Sequence, residues 1–203
     1  MNKHIALFIG IVISLFCFTS CSETDEESDE YENWQERNDK YFDEVYQTAT
    51  NHISSGSSNW KVFTAWSKDT VTSIQDQIVV EVLNEGTGTE SPLYTDSVRV
   101  HMEGRLIPSA SYAEGYVFSS SWTGDYNTST MIPVSYTVSS LVDGFTTALL
   151  HMHVGDRWRV YIPYSLGYGE EGSSSSIPGY STLIFDITLH SFVRKGTAMP
   201  SFQ

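Results

Sequence analysis

Residues 167–172 read GYGEEG, the G-x-G-x-x-G spacing of a dinucleotide-binding loop. Such a loop needs a strand before it, a helix opening at its end, and backbone N–H groups free for a pyrophosphate. The strand is present in RVYIP, 159–163, but SSSSIPG follows, and serines, a proline and a glycine cannot carry a helix onward. Glu170 and Glu171 also stand where phosphates would approach. The spacing therefore belongs to some other motif. His151 and His153 lie two apart beside a turn, but no cysteine or carboxylate stands at a companion ligand spacing, so a polar turn pair is the better reading and no metal is expected. The serines at 119–121 and 173–176 have no G-x-S-x-G context for a nucleophile. His101 falls mid-strand and reads as a packed core or edge histidine. No convincing nucleophile or metal cluster stands here. What remains is a supply of aromatics, glycine-rich turns and tyrosine hydroxyls.

The elements that must position these residues follow from periodicity. NWQERNDKYFDEVYQTATNHI, 33–53, reads as a helix, with Trp34, Tyr41, Val45, Ala49 and Ile53 on one stripe widened by Phe42 and Tyr46. SSGSSN, 54–59, ends it, and WKVFTAW, 60–66, is aromatic enough to pack as a helix or short strand. From about residue 76 the period becomes two. QIVVEVL (77–83), SVRVHMEGRL (97–106), VSYTV (134–138), RWRVYIP (157–163) and TLIFDITLHSFV (182–193) read as strands. LVDGFTTALLHM, 141–152, fits one short helix with Leu141, Phe145, Leu149 and Met152 on a face. The pattern predicts an α+β domain, an antiparallel sheet with one helix against it.

The first residues read as a targeting segment. Lys3 and His4 precede an apolar run at 5–18, shorter than the ~20 residues a spanning helix needs. Thr19, Ser20 and Cys21 follow, which resembles a bacterial lipoprotein signal, although Phe18 stands where leucine is usual. That resemblance implies that Cys21 is lipidated and becomes residue 1 of the mature protein. The other cysteine, Cys17, lies in the removed part, so the mature chain has no internal disulfide. SETDEESDE, 22–30, reads as a solvated acidic tether. With a net charge of −14 the chain is repelled by phosphate backbones, so nucleic acid is an unexpected partner, and membrane attachment falls to the lipid. The resulting division is signal 1–20, tether 21–32, a helical aromatic-rich segment 33–75, and the sheet domain 76–203.

LVDGFTTALLHMHVGDRWRVYIPYSLGYGEEG, 141–172, resembles the core of the FKBP-type peptidyl-prolyl isomerases. That family reads roughly V-I-x-G-W, a helix, M-x-V-G, a strand ending Ile-Pro, and [AG]-Y-G. VRVHMEGRL (98–106), YVFSSS (116–121) and IPGYSTLIFDITLHSF (177–192) match further pieces in order, so the resemblance covers about 76–193. It implies a twisted antiparallel sheet wrapped on one short helix and catalysis of Xaa-Pro cis–trans exchange with no cofactor. It implies a pocket with Phe118, Phe145 and Phe185 as walls and floor, and Leu141, Val142 and Ile177 at the sides. Substrate carbonyls would be held by the Val142 N–H and the Tyr168 hydroxyl, with Gly167 and Gly169 freeing the backbone around Tyr168 and SSSSIPG as a flap.

Three pocket positions depart from the family pattern. Met102 stands where a tyrosine is usual, Ser119 where an aspartate is usual, and Phe145 where tryptophan is frequent. Segments 107–117 and 122–132 have no counterpart and are expected at the pocket rim. Two readings follow: an isomerase acting on proline-containing polypeptides of the envelope or secreted space, or an FKBP-like binding or chaperone module with weakened turnover. The expected location is the cell envelope, lipid-anchored at the outer membrane and facing the periplasm or the surface. The helix at 33–53 either packs on its own sheet or joins a homodimer.

Overall fold

The computed structural model describes residues 30–173 and 176–202. The signal segment, Cys21 and the tether up to residue 29 lie outside the described residues. Seven strands and two α-helices follow in the order α1 (Trp34–Ser54), β1 (Trp60–Thr64), β2 (Gln77–Asn84), β3 (Ser97–Arg105), β4 (Val117–Ser120), β5 (Val134–Thr137), α2 (Asp143–His151), β6 (Arg157–Ile162), β7 (Leu183–Val193). The strands form one sheet ordered β1-β2-β6-β7-β3-β4, with β5 also pairing β3, and every pairing is antiparallel.

Period-two side chains divide the sheet into two faces. On one, Val80 and Val82 of β2, Val160 and Ile162 of β6, Phe185 and Ile187 of β7, and Val100 and Met102 of β3 meet in register. α2 covers this face through Phe145, Ala148 and Leu149, all buried. Leu141, expected on the same stripe, is half-buried, while Thr146 and Thr147 are fully enclosed. Thr147 Oγ1 accepts from the Trp66 N–H at 3.1 Å, so the segment after β1 wraps the helix on a second side.

The opposite face carries α1. Tyr41 lies 6.5 Å from Tyr161, whose other neighbour Trp60 stacks at 6.4 Å and in turn receives His52 at 5.6 Å. The helix buries Trp34, Asn38, Phe42 and Ala49 and leaves Ile53 exposed, so its stripe turns through Asn38 and stops a turn earlier than the apolar pattern predicts. Asn38 is satisfied: Nδ2 donates to Trp34 O at 2.7 Å, and Oδ1 accepts from the Thr182 N–H at 2.7 Å. Trp34 Nε1 donates to Ser181 Oγ at 2.9 Å. These bonds pin α1 to the start of β7.

WKVFTAW resolves as a strand, because β1 alternates between the two faces as it pairs with β2. The sheet therefore runs across the boundary expected at 75/76. No helix among the described residues is long and apolar enough to cross a membrane.

Candidate functional site: an aromatic cavity between the sheet and the start of α2

A cavity of about 490 Å³ opens on the α2 face. Its floor is three phenyl rings. Phe185 of β7 stands edge-on to Phe145 of α2 (5.0 Å between centroids, 82°) and to Phe118 of β4 (5.5 Å, 86°). This edge-to-face geometry suits ring quadrupoles. Phe145 and Phe185 are almost wholly buried.

The rings depend on a glycine. Gly104 pairs with Phe185 on β7 and with Ser119 on β4. A Cβ at Gly104 would lie 2.6 Å from Phe118 Cε2 and Cζ, and closer still to Phe185 Cε1. The sequence pattern contains this residue without disclosing its role, which depends on cross-strand register.

The remaining wall comes from Met102, Ser119, Leu141, Val142, Tyr168 and Ile177, so all nine predicted pocket residues line one cavity. Tyr136, Ser140 and Ser176 line it too. Tyr136 was missed because VSYTV alternates in a way that names two faces without saying which is inside.

Val142 is the residue before the first turn of α2, with φ −63° and ψ 151°. Its carbonyl accepts from the Thr146 N–H at 2.9 Å, and no acceptor for its own N–H is found among the described residues. That donor sits at the positive end of the helix, where it favours a carbonyl oxygen. The adjacent carboxylate of Asp143 accepts from Ser67 Oγ at 2.7 Å. Among the cavity-lining residues there is no carboxylate, imidazole, amine or guanidinium.

Tyr168 lies on the turn after β6 and is partly exposed. Gly169 adopts φ +66°, a conformation glycine takes without strain, and its N–H donates to Tyr164 O at 2.8 Å. Gly167 has φ −109° and ψ −119°, outside the ordinary helix and strand regions, and a Cβ added there would lie 3.1 Å from Leu183 Cδ1. The spacing that mimics a phosphate loop is thus a compact turn that presents Tyr168.

The departures at 102 and 119 touch each other: Ser119 Oγ lies 3.9 Å from Met102 Sδ. A soft apolar wall with a small hydroxyl replaces the usual polar pair there.

Segments 107–117 and 122–132 do not line the cavity. Both turn to the α1 face instead. Pro108 O accepts from Arg37 Nη2 at 3.2 Å and Ser111 N bonds the Glu30 carboxylate, while Tyr126 lies against Thr188 and Arg157. Their aromatic and polar groups find partners there, which the sequence could not show. Among the described residues no three of His, Cys, Asp and Glu gather as a metal site. His151 stacks on Phe63 at 4.1 Å, and His153 Nδ1 lies 3.7 Å from Asp156.

Comparison with known proteins points the same way. Residues 88–190 match the family described as FKBP-type peptidyl-prolyl cis-trans isomerase. The chain is 38% identical over 122 residues to the FKBP-type 22 kDa peptidyl-prolyl cis-trans isomerase of Escherichia coli K12, covering 60% of this chain and 53% of that protein. It is 34% identical over 128 residues to the peptidyl-prolyl cis-trans isomerase Mip of Coxiella burnetii, covering 63% and 50%. The chain thus spans about half the length of the curated relatives it matches. A peptidyl-prolyl cis-trans isomerase from Pseudomonas syringae, solved by crystallography, superposes with a TM-score of 0.50 at 23% identity, covering 75% of this chain and 96% of that one, a likeness of fold alone.

Proposed function

The chain belongs to the FKBP-type peptidyl-prolyl cis-trans isomerase family, and from that membership we propose that it catalyses cis–trans exchange of Xaa-Pro bonds in proline-containing polypeptides. The observation that carries the reading is the cavity itself: three edge-on phenyl rings, a Val142 N–H with no acceptor among the described residues, and no acid or base among the lining residues.

That combination suits the reaction. Twisting an amide costs about 18–20 kcal/mol because resonance holds it planar. Resonance separates charge, which water stabilises and an apolar wall does not, so seating the proline ring against Phe118, Phe145 and Phe185 raises the planar form relative to the twisted one. Leu141, Ile177 and Met102 exclude water around it. The Val142 N–H and the Tyr168 hydroxyl would each hold a substrate carbonyl, fixing the segments on either side of the bond that turns. No proton need move, and each tenfold acceleration requires only about 1.4 kcal/mol.

The second reading, a binding or chaperone module with weakened turnover, is favoured by the Ser119–Met102 contact, which puts no carboxylate beside the rings. Exchange NMR on a short Xaa-Pro peptide with the full chain separates the two. Under the first reading the chain accelerates exchange, and Tyr168→Phe lowers the acceleration several-fold, as loss of one hydrogen bond of about 1 kcal/mol requires. An uncatalysed rate in the presence of folded chain sinks the enzymatic reading and leaves the binding one.

The setting is part of the proposal. The apolar run at 5–18 followed by Cys21 supports a lipid anchor, and hence clients in the cell envelope at the outer membrane. Cys21→Ala should abolish incorporation of labelled fatty acid into the chain. A homodimer through α1 would have to use its outward side, which carries Glu36, Glu44, Gln47 and Asn51, since Phe42 and Ala49 are spent on the chain's own sheet. That supports a monomer, and gel filtration at a dimer's volume would overturn it.

A further inference from the structure

On the face of the sheet opposite the aromatic rings, His101 of β3, Thr188 of β7 and Arg157 of β6 stand side by side in register. Tyr126, from the segment between β4 and β5, lies over this rung. Its hydroxyl is 2.6 Å from Thr188 Oγ1, its ring is 3.8 Å from the Arg157 guanidinium, and it stands edge-on to His101 at 6.4 Å. His190, further along β7, is 6.1 Å from His101. Together they border a cavity of about 560 Å³.

Two features of this cavity are unexplained by folding. His101 is 1% exposed, yet neither of its ring nitrogens has a hydrogen-bond partner among the described residues. Arg157 Nε is likewise buried without one. Buried polar atoms almost always have partners, so three orphans on two side chains that line one cavity call for a ligand that supplies them. The orphans are suited to an anion. Arg157 brings a permanent positive charge, while no Asp or Glu lines the cavity.

The nearby carboxylates lie outside the cavity lining. Asp186 is held chiefly by Arg159 at 2.8 and 3.1 Å, with a longer ion pair to Arg157 Nη2 at 3.5 Å. Asp156 accepts from the Gly86 and His153 N–H groups, and Asp125 is exposed. In a chain of net charge −14 a cavity lined by an arginine and two histidines and by no carboxylate stands out.

We propose that this cavity binds a phosphate-type oxyanion, free or carried as a monoester, held by Arg157, His101 and His190. Guanidinium N–H groups match phosphate oxygens in geometry and charge. A neutral imidazole offers one donor and one acceptor, which monohydrogen phosphate can meet with both an oxygen and a hydroxyl. Thr128, at the edge of the cavity, adds a hydroxyl. The site is independent of the isomerase reading, since β3 and β7 send alternate residues to the two faces.

The test is a titration of the full chain with inorganic phosphate and, separately, glycerol 1-phosphate, at pH 7 in chloride of matched ionic strength. The readout is the imidazole NMR signals. The His101 and His190 signals should move saturably, with a dissociation constant of about 1 mM or tighter for at least one of the two ligands. Tighter binding of inorganic phosphate assigns the free anion, and tighter binding of the ester assigns a monoester. Arg157→Gln and His190→Asn should each weaken binding at least about tenfold. The His190 side is exposed, so that variant decides the matter even if Arg157→Gln fails to fold. Shifts that stay linear in both ligands, or that saturate equally in His190→Asn, overturn the proposal.

Discussion

Replacing Gly104 with alanine should close the aromatic cavity while leaving the sheet intact. The added methyl would lie 2.6 Å from two carbons of Phe118 and closer to Phe185. Non-bonded carbons settle at about 3.5–4.0 Å, so the rings must retreat by about 1 Å. They have little room to do so. Phe185 is wedged edge-on between Phe118 and Phe145, and Phe145 and Phe185 are both almost wholly buried. Overpacking of this kind costs about 1–3 kcal/mol. For a chain of this size that is a fall in Tm of roughly 2–12 °C, readable by circular dichroism. A displacement of about 1 Å at positioning groups can cost about 100-fold in rate, so isomerisation of an Xaa-Pro peptide should fall by roughly 10–100-fold in kcat/KM. The backbone at Gly104 is ordinary strand, so no conformational penalty confuses the result. Activity within about twofold of the parent, in a folded variant, would show that the rings do not need this gap.

Other outcomes follow from the same geometry. Asn38→Ala should cost about 1–3 kcal/mol in urea unfolding, because it orphans the buried Thr182 N–H at the start of β7; a smaller loss would mean that α1 is not anchored there. The isomerisation rate should be flat between about pH 5 and 9, since no carboxylate, imidazole or amine lines the cavity; a bell-shaped profile would point to an unrecognised acid or base. Stability should fall as the medium is acidified, in two windows. The His101 side chain is held below its ordinary range by burial, with His190 adding repulsion, so the unfolded chain takes up the proton first and stability declines as pH drops below about 6.5. Asp76 is drawn down to about 2, chiefly by the Thr72 hydroxyl and N–H, so its contribution is complete above about pH 4 and lost as the pH falls toward 2. Thermal melts of Asp76→Asn and His101→Gln against pH should each remove the corresponding window.

Much of this architecture could be read from residue order, because the period of two in β3 and β7 marks the inward side without reference to any partner. Val98, Val100 and Met102 are buried as the alternation requires, and so is Phe185. His101 breaks the alternation, since it is buried on the other face beneath Tyr126, and the covering segment lies 25 residues away in sequence. α1 shows the same limit. Asn38 looks like a surface residue by type, but a hydrogen-bonding partner at Thr182 makes it the centre of the buried stripe. β1 was ambiguous because a five-residue edge strand and a helical turn both accommodate WKVFTAW, and only pairing with β2 decides between them. The cavity residues were legible through a resemblance in motif order. Gly104 and Tyr136 were not, because their roles arise from which strand lies beside them.

The two faces of the sheet are not independent in their making. Shifting β7 by one residue against β3 and β6 would bring Asp186 and Thr188 to the aromatic side and turn Phe185 and Ile187 outward. The apolar side resists that slip by losing its core. The outer side resists it through the ion pair of Arg159 with Asp186, which lie directly opposite each other on β6 and β7. That pair is strong enough to hold Arg159 well above the usual guanidinium range, the Asp186 hydrogen bonds being the main cause. A half-buried ion pair adds little net stability, but it penalises every register in which one partner is left unpaired. The polar rung therefore serves the aromatic cavity by specifying the one alignment in which Gly104 falls beside Phe185 and the rings can stand edge-on.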